Sequence, residues 1–149
     1  MPSREKMKTN SHPTFRYVSV GYSCCGDDFL QTMSSRYDLE RLGCVEAPQP
    51  QFANLLIIQG TLNAKLITEV NSLYEKMLTP KYIMALGTCS CGGGLFPLSP
   101  QHLPPVEVWV TGCPPRPEAI MNGVIALHEK VSGSREKSKS SGMKSGAQP

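Results

Sequence analysis

Apolar residues along the middle of the chain form two kinds of pattern. Short and nearly continuous apolar runs are typical of strands buried on both faces of a sheet, and the clearest run is Leu-Leu-Ile-Ile at residues 55–58. Such runs recur at intervals that leave room for a helix between them. They predict strands at residues 15–20, 54–59, 82–86 and 106–110, with a short extended piece near residues 44–47.

Three segments between these runs have the periodicity or the end signals of helices. Residues 27–41 begin with acidic side chains, which complement the helix dipole. A second helix is predicted with Thr61 as its N-cap, because apolar residues then recur at helical spacing. These residues are Leu62, Leu66, Val70, Leu73 and Met77. A last helix is expected to start near residues 115–117 and to run to about Val131, with Gly133 as its stop.

The alternation of strands and helices with short turns predicts the fold class. It indicates an α/β domain with a doubly wound, mostly parallel sheet and helices on both faces. We expect this domain to span residues 15–131. A polar lead-in at residues 1–14 precedes it, and a basic Ser/Gly/Lys-rich tail at residues 132–149 follows it. The composition of the tail predicts disorder. Sheets of this type carry their sites at the carboxyl ends of the strands.

Composition and charge exclude several classes of function. A chain of 149 residues is long enough to bury one hydrophobic core. No apolar run approaches the roughly 20 residues that a membrane-spanning helix needs. The polar N-terminus predicts that the chain is not exported, so its thiols should meet a reducing compartment that disfavours disulfides. The net charge of +3 is concentrated in the two ends of the chain. Because the body has no basic stripe, we expect no nucleic-acid partner.

The chain has six cysteines, and most of them follow a predicted strand. Cys24 and Cys25 are adjacent, Cys89 and Cys91 are separated by one residue in a glycine-rich turn, and Cys113 precedes two prolines. The ends of parallel strands meet at one edge of a sheet, so these thiols are expected to converge there. Several thiolates at one point indicate a metal ion or an iron–sulfur cluster.

The spacing of the cysteines favours a cluster over a single ion. Zinc sites use cysteine pairs that are usually separated by two to four intervening residues, and a thiol oxidoreductase would show Cys-x-x-Cys. Neither spacing occurs here. A cubane cluster offers separate iron atoms, which adjacent cysteines can reach. Gly92–Gly94 lacks the lysine of a phosphate-binding loop, and we interpret it as a place where the backbone approaches a bulky inorganic group. A zinc site, unligated thiols and a merely flexible glycine hairpin remain open alternatives.

Five motifs, in order across residues 15–130, together resemble one family. They are Cys24-Cys25, Ser35-Arg-Tyr-Asp-Leu-Glu-Arg-Leu-Gly43, Gly60-Thr-Leu-Asn63, Gly87-Thr-Cys-Ser-Cys-Gly-Gly-Gly94 and Gly112-Cys-Pro-Pro-Arg-Pro-Glu-Ala119. The family is the complex I component that carries the terminal tetranuclear cluster, known as the B subunit in bacteria and as PSST in mitochondria. Its relatives, the small subunits of nickel–iron hydrogenases, share Gly-Cys-Pro-Pro but typically begin with Cys-x-x-Cys. The tandem pair therefore favours the complex I branch.

This resemblance implies a flavodoxin-like fold and a specific cofactor. One [4Fe–4S] cluster would be held by Cys24, Cys25, Cys89 and Cys113. The chain would be a subunit, inactive alone, of a proton-translocating NADH:quinone oxidoreductase. It would receive electrons from an upstream iron–sulfur subunit and pass them to a quinone. The quinone pocket would form against a partner related to the hydrogenase large subunit.

The resemblance also implies a location and a partner-facing surface. The chain would lie peripherally on the cytoplasmic face of a bacterial or archaeal inner membrane, or on the matrix side in mitochondria, together with membrane subunits. Phe29, Met33 and residues 36–38 would line or support the quinone surface, although Met33 and Tyr37 could equally be core contacts. The alternatives are the small subunit of an energy-converting, membrane-bound nickel–iron hydrogenase, and a structural zinc module for assembly.

The chain departs from the family pattern at several positions. Asp28 stands where the family usually has glutamate, so a proton-linked role near the cluster is kept as a hypothesis. Cys91 stands where asparagine is common and could compete with Cys89, which fits the motif register better. Cys44 has no role in any motif and is expected to be a small buried residue. Residues 95–105 form a shorter loop than the family usually has.

Overall fold

The protein has a five-stranded parallel sheet at its centre. The computed structural model describes residues 13–94 and 103–140, with side chains as far as residue 133. The strand order β2-β1-β3-β4-β5 and the parallel pairing at every step are those of a flavodoxin-like, doubly wound sheet. The predicted fold class is therefore confirmed. The strands are β1 Phe15–Val20, β2 Cys44–Glu46, β3 Leu55–Gln59, β4 Tyr82–Leu86 and β5 Val108–Val110.

Helices cover both faces of this sheet. They are α1 Cys24–Thr32, α2 Ala64–Lys76, α3 Thr88–Gly92 and α4 Pro117–Ser140, with two short 3₁₀ helices at Leu39–Leu42 and Pro50–Phe52. Helix α2 packs on one face through Leu66 and Val70. Helices α1 and α4 pack on the other face, where Phe29 and Val124 contribute to a second apolar cluster.

The two central strands explain why the sequence showed continuous apolar runs. Successive residues of a strand point to opposite faces, so a strand covered on both sides needs apolar residues at every position. Each residue of β3 is buried, and so are the last four residues of β4. Within the described residues, no helix is both long and apolar enough to cross a membrane.

The predicted helix at residues 27–41 is wrong at both ends. Helix α1 begins at Cys24, directly after Ser23 as N-cap, and ends at Thr32. The chain then turns through hydrogen bonds to carbonyls three residues back, from the Ser34 N–H to Gln31 and from the Tyr37 N–H to Ser34, and Asp38 takes a left-handed φ of 51°. Aspartate tolerates that conformation better than most residues, and the helical path stops there.

The expected cap of the second helix is also wrong. Asn63, not Thr61, is the N-cap of α2, and its side-chain oxygen accepts a hydrogen bond from the Leu66 N–H at 2.7 Å. Asparagine is at least as good a cap as threonine. Gly60 takes a left-handed φ of 77°, and the chain needs the residues that follow this turn to reach the start of the helix.

The last helix is longer than its sequence predicted. Helix α4 passes Gly133 and continues to Ser140, so the predicted end near Val131 is wrong. Gly133 is not among the glycines with positive φ, and without that conformation it does not act as a helix stop. The lead-in at residues 1–12, most of the shortened loop at residues 95–102 and the end of the tail at residues 141–149 lie outside the described residues.

Candidate metal centre

Three cysteine-bearing segments leave the same edge of the sheet. Strand β1 leads into Cys24 and Cys25 at the start of α1, and strand β4 leads into Cys89 on α3. Strand β5 leads into Cys113 two residues before Pro115. Because all strands are parallel, these three carboxyl ends lie along the same edge of the sheet, as the sequence predicted, with the end of β3 between those of β1 and β4.

Cys25 is the most enclosed of these thiols. It is only 3% exposed. Burial, with the neighbouring Cys24 thiol and the more distant Cys89 thiol, raises the pKa of Cys25 to about 11, while a hydrogen bond from the Gly60 N–H opposes that rise. Three of the predicted site residues thus lie close enough to influence one another. Thiols that resist ionisation in this way are stabilised as thiolates by a positive metal group.

Cys113 joins this group through its neighbour in the chain. The Gly112 carbonyl accepts hydrogen bonds from both the N–H and the hydroxyl of Thr88, at 2.9 and 3.1 Å. Thr88 precedes Cys89, so these two bonds tie the Cys113 loop to helix α3. Cys24 and Cys113 are exposed, whereas Cys25 is buried.

Glycines line the space beside the buried sulfur atoms. Gly87 has a φ of 94°, and a Cβ there would lie 2.4 Å from the Cys25 sulfur. A Cβ on Gly94 would lie 3.1 Å from the Cys89 sulfur. Both glycines have a positive φ, which glycine adopts without strain, and neither places a Cβ in this space. A set of soft thiol donors with bare backbone beside them fits an iron–sulfur group, which accepts thiolate ligands and backbone N–H donors.

No compact single-ion site occurs in the described part of the chain. Among residues 13–94 and 103–133, no three His, Cys, Asp or Glu side chains are grouped as ligands of one metal ion. The assignment of Cys24, Cys25, Cys89 and Cys113 as cluster ligands therefore stays a prediction.

Cys91 and Cys44 point away from this group. The Cys91 sulfur lies 3.8 Å from the Ala85 carbonyl oxygen and 3.6 Å from that of Val110, and burial raises its pKa. Residues two positions apart on a helix point about 200° apart, so the Cys89 and Cys91 side chains leave α3 in different directions. Cys44 is buried in the α1/α4 face of the core, where burial raises its pKa to about 12.

The segment expected to support a quinone surface is divided between core and exterior. Phe29 is buried, and its ring meets that of Tyr17 edge-on at 5.4 Å. Met33 is partly exposed and receives a hydrogen bond from the Tyr17 hydroxyl at 3.4 Å. The Tyr37 hydroxyl donates to Glu118 at 2.9 Å, which links the turn after α1 to the start of α4.

Two polar residues near the tandem cysteines were not singled out from the sequence. Tyr22 is 72% exposed; its ring lies against Gly26, and its hydroxyl donates to Asp27 at 2.9 Å. Ser90 is fully buried between two cysteines of α3 and bonds to the Gly60 carbonyl. A serine inside Cys-Ser-Cys was the available signal, but its partner lies thirty residues away in sequence. Asp28 is partly exposed.

Comparison with known proteins gives one consistent result. Residues 23–127 match the family model described as NADH ubiquinone oxidoreductase, 20 Kd subunit. The chain is 40% identical over 121 residues to an NADH-quinone oxidoreductase B subunit of Anaeromyxobacter dehalogenans, covering 77% of this chain and 70% of that one. It is 42% identical over 121 residues to the NADH-quinone oxidoreductase B subunit of Heliobacterium modesticaldum, covering 76% and 69%.

A solved structure agrees with these relatives. The fold matches a chain in the membrane-bound sulfane sulfur reductase, an archaeal respiratory membrane complex, with a TM-score of 0.71 and 32% identity. The match covers 80% of this chain and 72% of the other. The motifs, the sheet topology and these similarities lead to the same assignment. The chain belongs to the family of the 20 kDa subunit of NADH–ubiquinone oxidoreductase, a subunit of an oxidoreductase complex.

Proposed function

We propose that this chain is the electron-transfer subunit of a respiratory NADH:quinone oxidoreductase, holding one [4Fe–4S] cluster through Cys24, Cys25, Cys89 and Cys113. The observation that carries the proposal is the meeting of these cysteine segments at the carboxyl ends of β1, β4 and β5. A bound cluster would supply one-electron transfer. Membership of a family whose curated relatives are named as B subunits of NADH-quinone oxidoreductase supports the same role.

The chain's own residues would hold the cluster from two sides. Cys25 is fixed in the interior, with the Gly60 N–H donating to its sulfur. Cys24 and Cys113 lie at the surface. Cys89 is partly buried, so its exposure lies between that of Cys25 and that of the two surface cysteines. It stands on a helix that Thr88 ties to the Cys113 loop. Two exposed ligands leave one side of the site to be covered by another protein.

Large side chains are exposed in the chain segment around the tandem cysteines. Tyr22 precedes the tandem cysteines, and the apolar side chains of Leu30 and Met33 are also exposed on or just after α1. Aromatic residues and methionine are enriched at interfaces. We propose that a partner related to the hydrogenase large subunit covers this side and forms the quinone pocket there. An upstream iron–sulfur subunit would deliver electrons, and membrane subunits would hold the complex on the cytoplasmic or matrix face.

A second candidate has the same cofactor and a different acceptor. The structural match is to a respiratory membrane complex named as a sulfane sulfur reductase, so the fold also occurs in a complex named for another reaction. A subunit of such a complex, or of a membrane-bound energy-converting hydrogenase, is the alternative. The co-purifying subunits distinguish these candidates, because a hydrogenase partner must supply nickel-binding cysteine pairs.

Metal analysis of the native complex tests the cluster. We expect iron and acid-labile sulfide in the ratio of one tetranuclear cluster per copy of this chain, beyond the clusters of the other subunits. Cys113→Ala should remove one reduced-cluster EPR signal from the assembled complex, whereas Cys91→Ala, two residues beyond Cys89 on α3, should leave that signal in place. Zinc in place of this iron, or an unchanged signal in Cys113→Ala, would refute the assignment.

A further inference from the structure

Ser90 makes a buried hydrogen bond that spans two loops of the site. It lies on α3 between Cys89 and Cys91 and is fully buried. Its hydroxyl donates to the Gly60 carbonyl at 2.6 Å. A buried hydroxyl needs such a partner, but Gly60 belongs to the β3–α2 loop, which carries no cysteine. The bond therefore connects the Cys89 helix to a loop that contributes no predicted ligand.

Gly60 in turn contacts the tandem cysteines. Its backbone lies close enough to the Cys25 thiol to lower the pKa of that thiol through a backbone hydrogen bond, against the rise that burial causes. Its backbone takes a left-handed φ of 77°, and a Cβ there would lie 2.4 Å from Cβ of Ser23, the residue before Cys24. Gly60 is thus packed against the start of α1 on one side and held by Ser90 on the other. A small shift of this glycine changes the distance from its N–H to the Cys25 sulfur.

The geometry points to Ser90 as a positioning residue that fixes the Gly60 amide against the Cys25 sulfur and so raises the reduction potential of the bound cluster. This inference rests on the proposed function, because it requires the cluster to be bound through Cys25. Reduction adds negative charge to the cluster and its sulfur ligands. N–H groups aimed at a ligating sulfur stabilise that charge and are among the factors that set the potential.

The test compares three variants in the assembled complex. Ser90→Ala removes the hydroxyl, Ser90→Thr keeps it, and Thr32→Val is the matched control. Thr32 is also fully buried, but its hydroxyl bonds to the nearby Phe29 carbonyl within α1. For each variant, iron and sulfide are counted, and the potential is measured by redox titration followed by EPR.

Ser90→Ala should keep the full cluster and become harder to reduce. We expect a shift of up to about tenfold in the reduction equilibrium, which is 59 mV for one electron. Ser90→Thr and Thr32→Val should keep the wild-type potential. Loss of iron from Ser90→Ala, with wild-type iron and potential in Ser90→Thr, would also support the inference, because the hydroxyl would then be the group that the site requires.

Several results would overturn the inference. They are an unchanged or higher potential in Ser90→Ala, equal shifts in Ser90→Ala and Ser90→Thr, and loss of iron from both variants, which would show that side-chain volume at this position matters instead. A wild-type complex without the additional tetranuclear cluster would refute the proposed function itself. The iron count of the wild type therefore separates failure of the proposed function from failure of the role assigned to Ser90.

Discussion

Replacing Gly87 by alanine should strongly destabilise the cysteine site. Gly87 follows β4 and is the N-cap of α3. Its φ of 94° is one that side chains rarely adopt, and an alanine Cβ would lie 2.4 Å from the Cys25 sulfur. Cys25 cannot simply move away, because it is buried and its sulfur receives the Gly60 N–H. Gly87→Ala therefore combines backbone strain with overpacking.

The magnitude follows from these two effects. Holding a non-glycine residue in such a conformation costs about 1–3 kcal/mol. Forcing extra volume into a packed site costs typically about 1–3 kcal/mol more. We expect Gly87→Ala to lower the free energy of unfolding by about 2–6 kcal/mol, a large part of the roughly 5–15 kcal/mol that is typical of a domain. The displaced Cys25 sulfur should also weaken cluster binding.

Gly92 supplies a matched control within the same motif. It lies in α3, has no positive φ, and a Cβ there meets nothing within 4 Å. We expect Gly92→Ala to lose no stability, because an alanine is favoured over a glycine inside a helix where φ is not positive. The assays are urea unfolding of the full chain and iron per complex. Wild-type stability and iron in Gly87→Ala, or equal losses in both variants, would refute the argument from steric approach.

Three further predictions concern the scaffold and are read out by urea unfolding of the full chain. Asn63→Ala removes the N-cap of α2 and should cost about 1 kcal/mol, whereas Asn63→Asp should cost much less, so equal losses would contradict the capping role. Gly133→Ala should stabilise by about 0.5–1 kcal/mol, because Gly133 lies inside α4 without a positive φ; destabilisation would mean that the helix stops there. Gly123→Ala should destabilise by about 1–3 kcal/mol, because its Cβ would lie 2.6 Å from the Val110 side chain, and a neutral effect would contradict that contact.

The strands were the most predictable part of the fold. β1 and β4 match their predicted limits, and β3 differs by one residue. Burial on both faces gives every position of a central strand the same apolar requirement, and that requirement is visible in a single sequence. β5 is two residues shorter than predicted, at Val108–Val110. Within the part of the chain that the structure describes, it is the last strand of the sheet and pairs only with β4.

The helix limits were less predictable, because they depend on bonds that the pattern does not show. Residues 33–38 are compatible with a helix by composition, yet they turn away through backbone hydrogen bonds and the left-handed Asp38. Thr61 and Asn63 are both suitable caps, and α2 starts after Asn63 because its side chain reaches a helix N–H group. In both cases the tertiary path of the chain decided between local options of similar energy.

The convergence of the cysteine segments was predictable, and the arrangement of their surroundings was not. Topology alone places Cys25, Cys89 and Cys113 near one edge of the sheet. The bond from Ser90 to Gly60 joins residues thirty positions apart through a backbone carbonyl, which leaves no mark on residue type. A sequence therefore indicates which residues can bind a cofactor more readily than which residues hold them in position.

The tandem cysteines show how the fold gives different environments to identical neighbours. Cys24 is exposed and Cys25 is buried. Consecutive residues at the start of a helix point about 100° apart, so one thiol faces the core and the next faces outward. The inner sulfur has a backbone donor supplied by this chain, whereas Cys24 and Cys113 face the surface that a partner would cover. A cluster held in this way would be tuned by Gly60 and its neighbours on one side and by the partner protein on the other, so its potential would be a property of the assembled complex rather than of this chain alone.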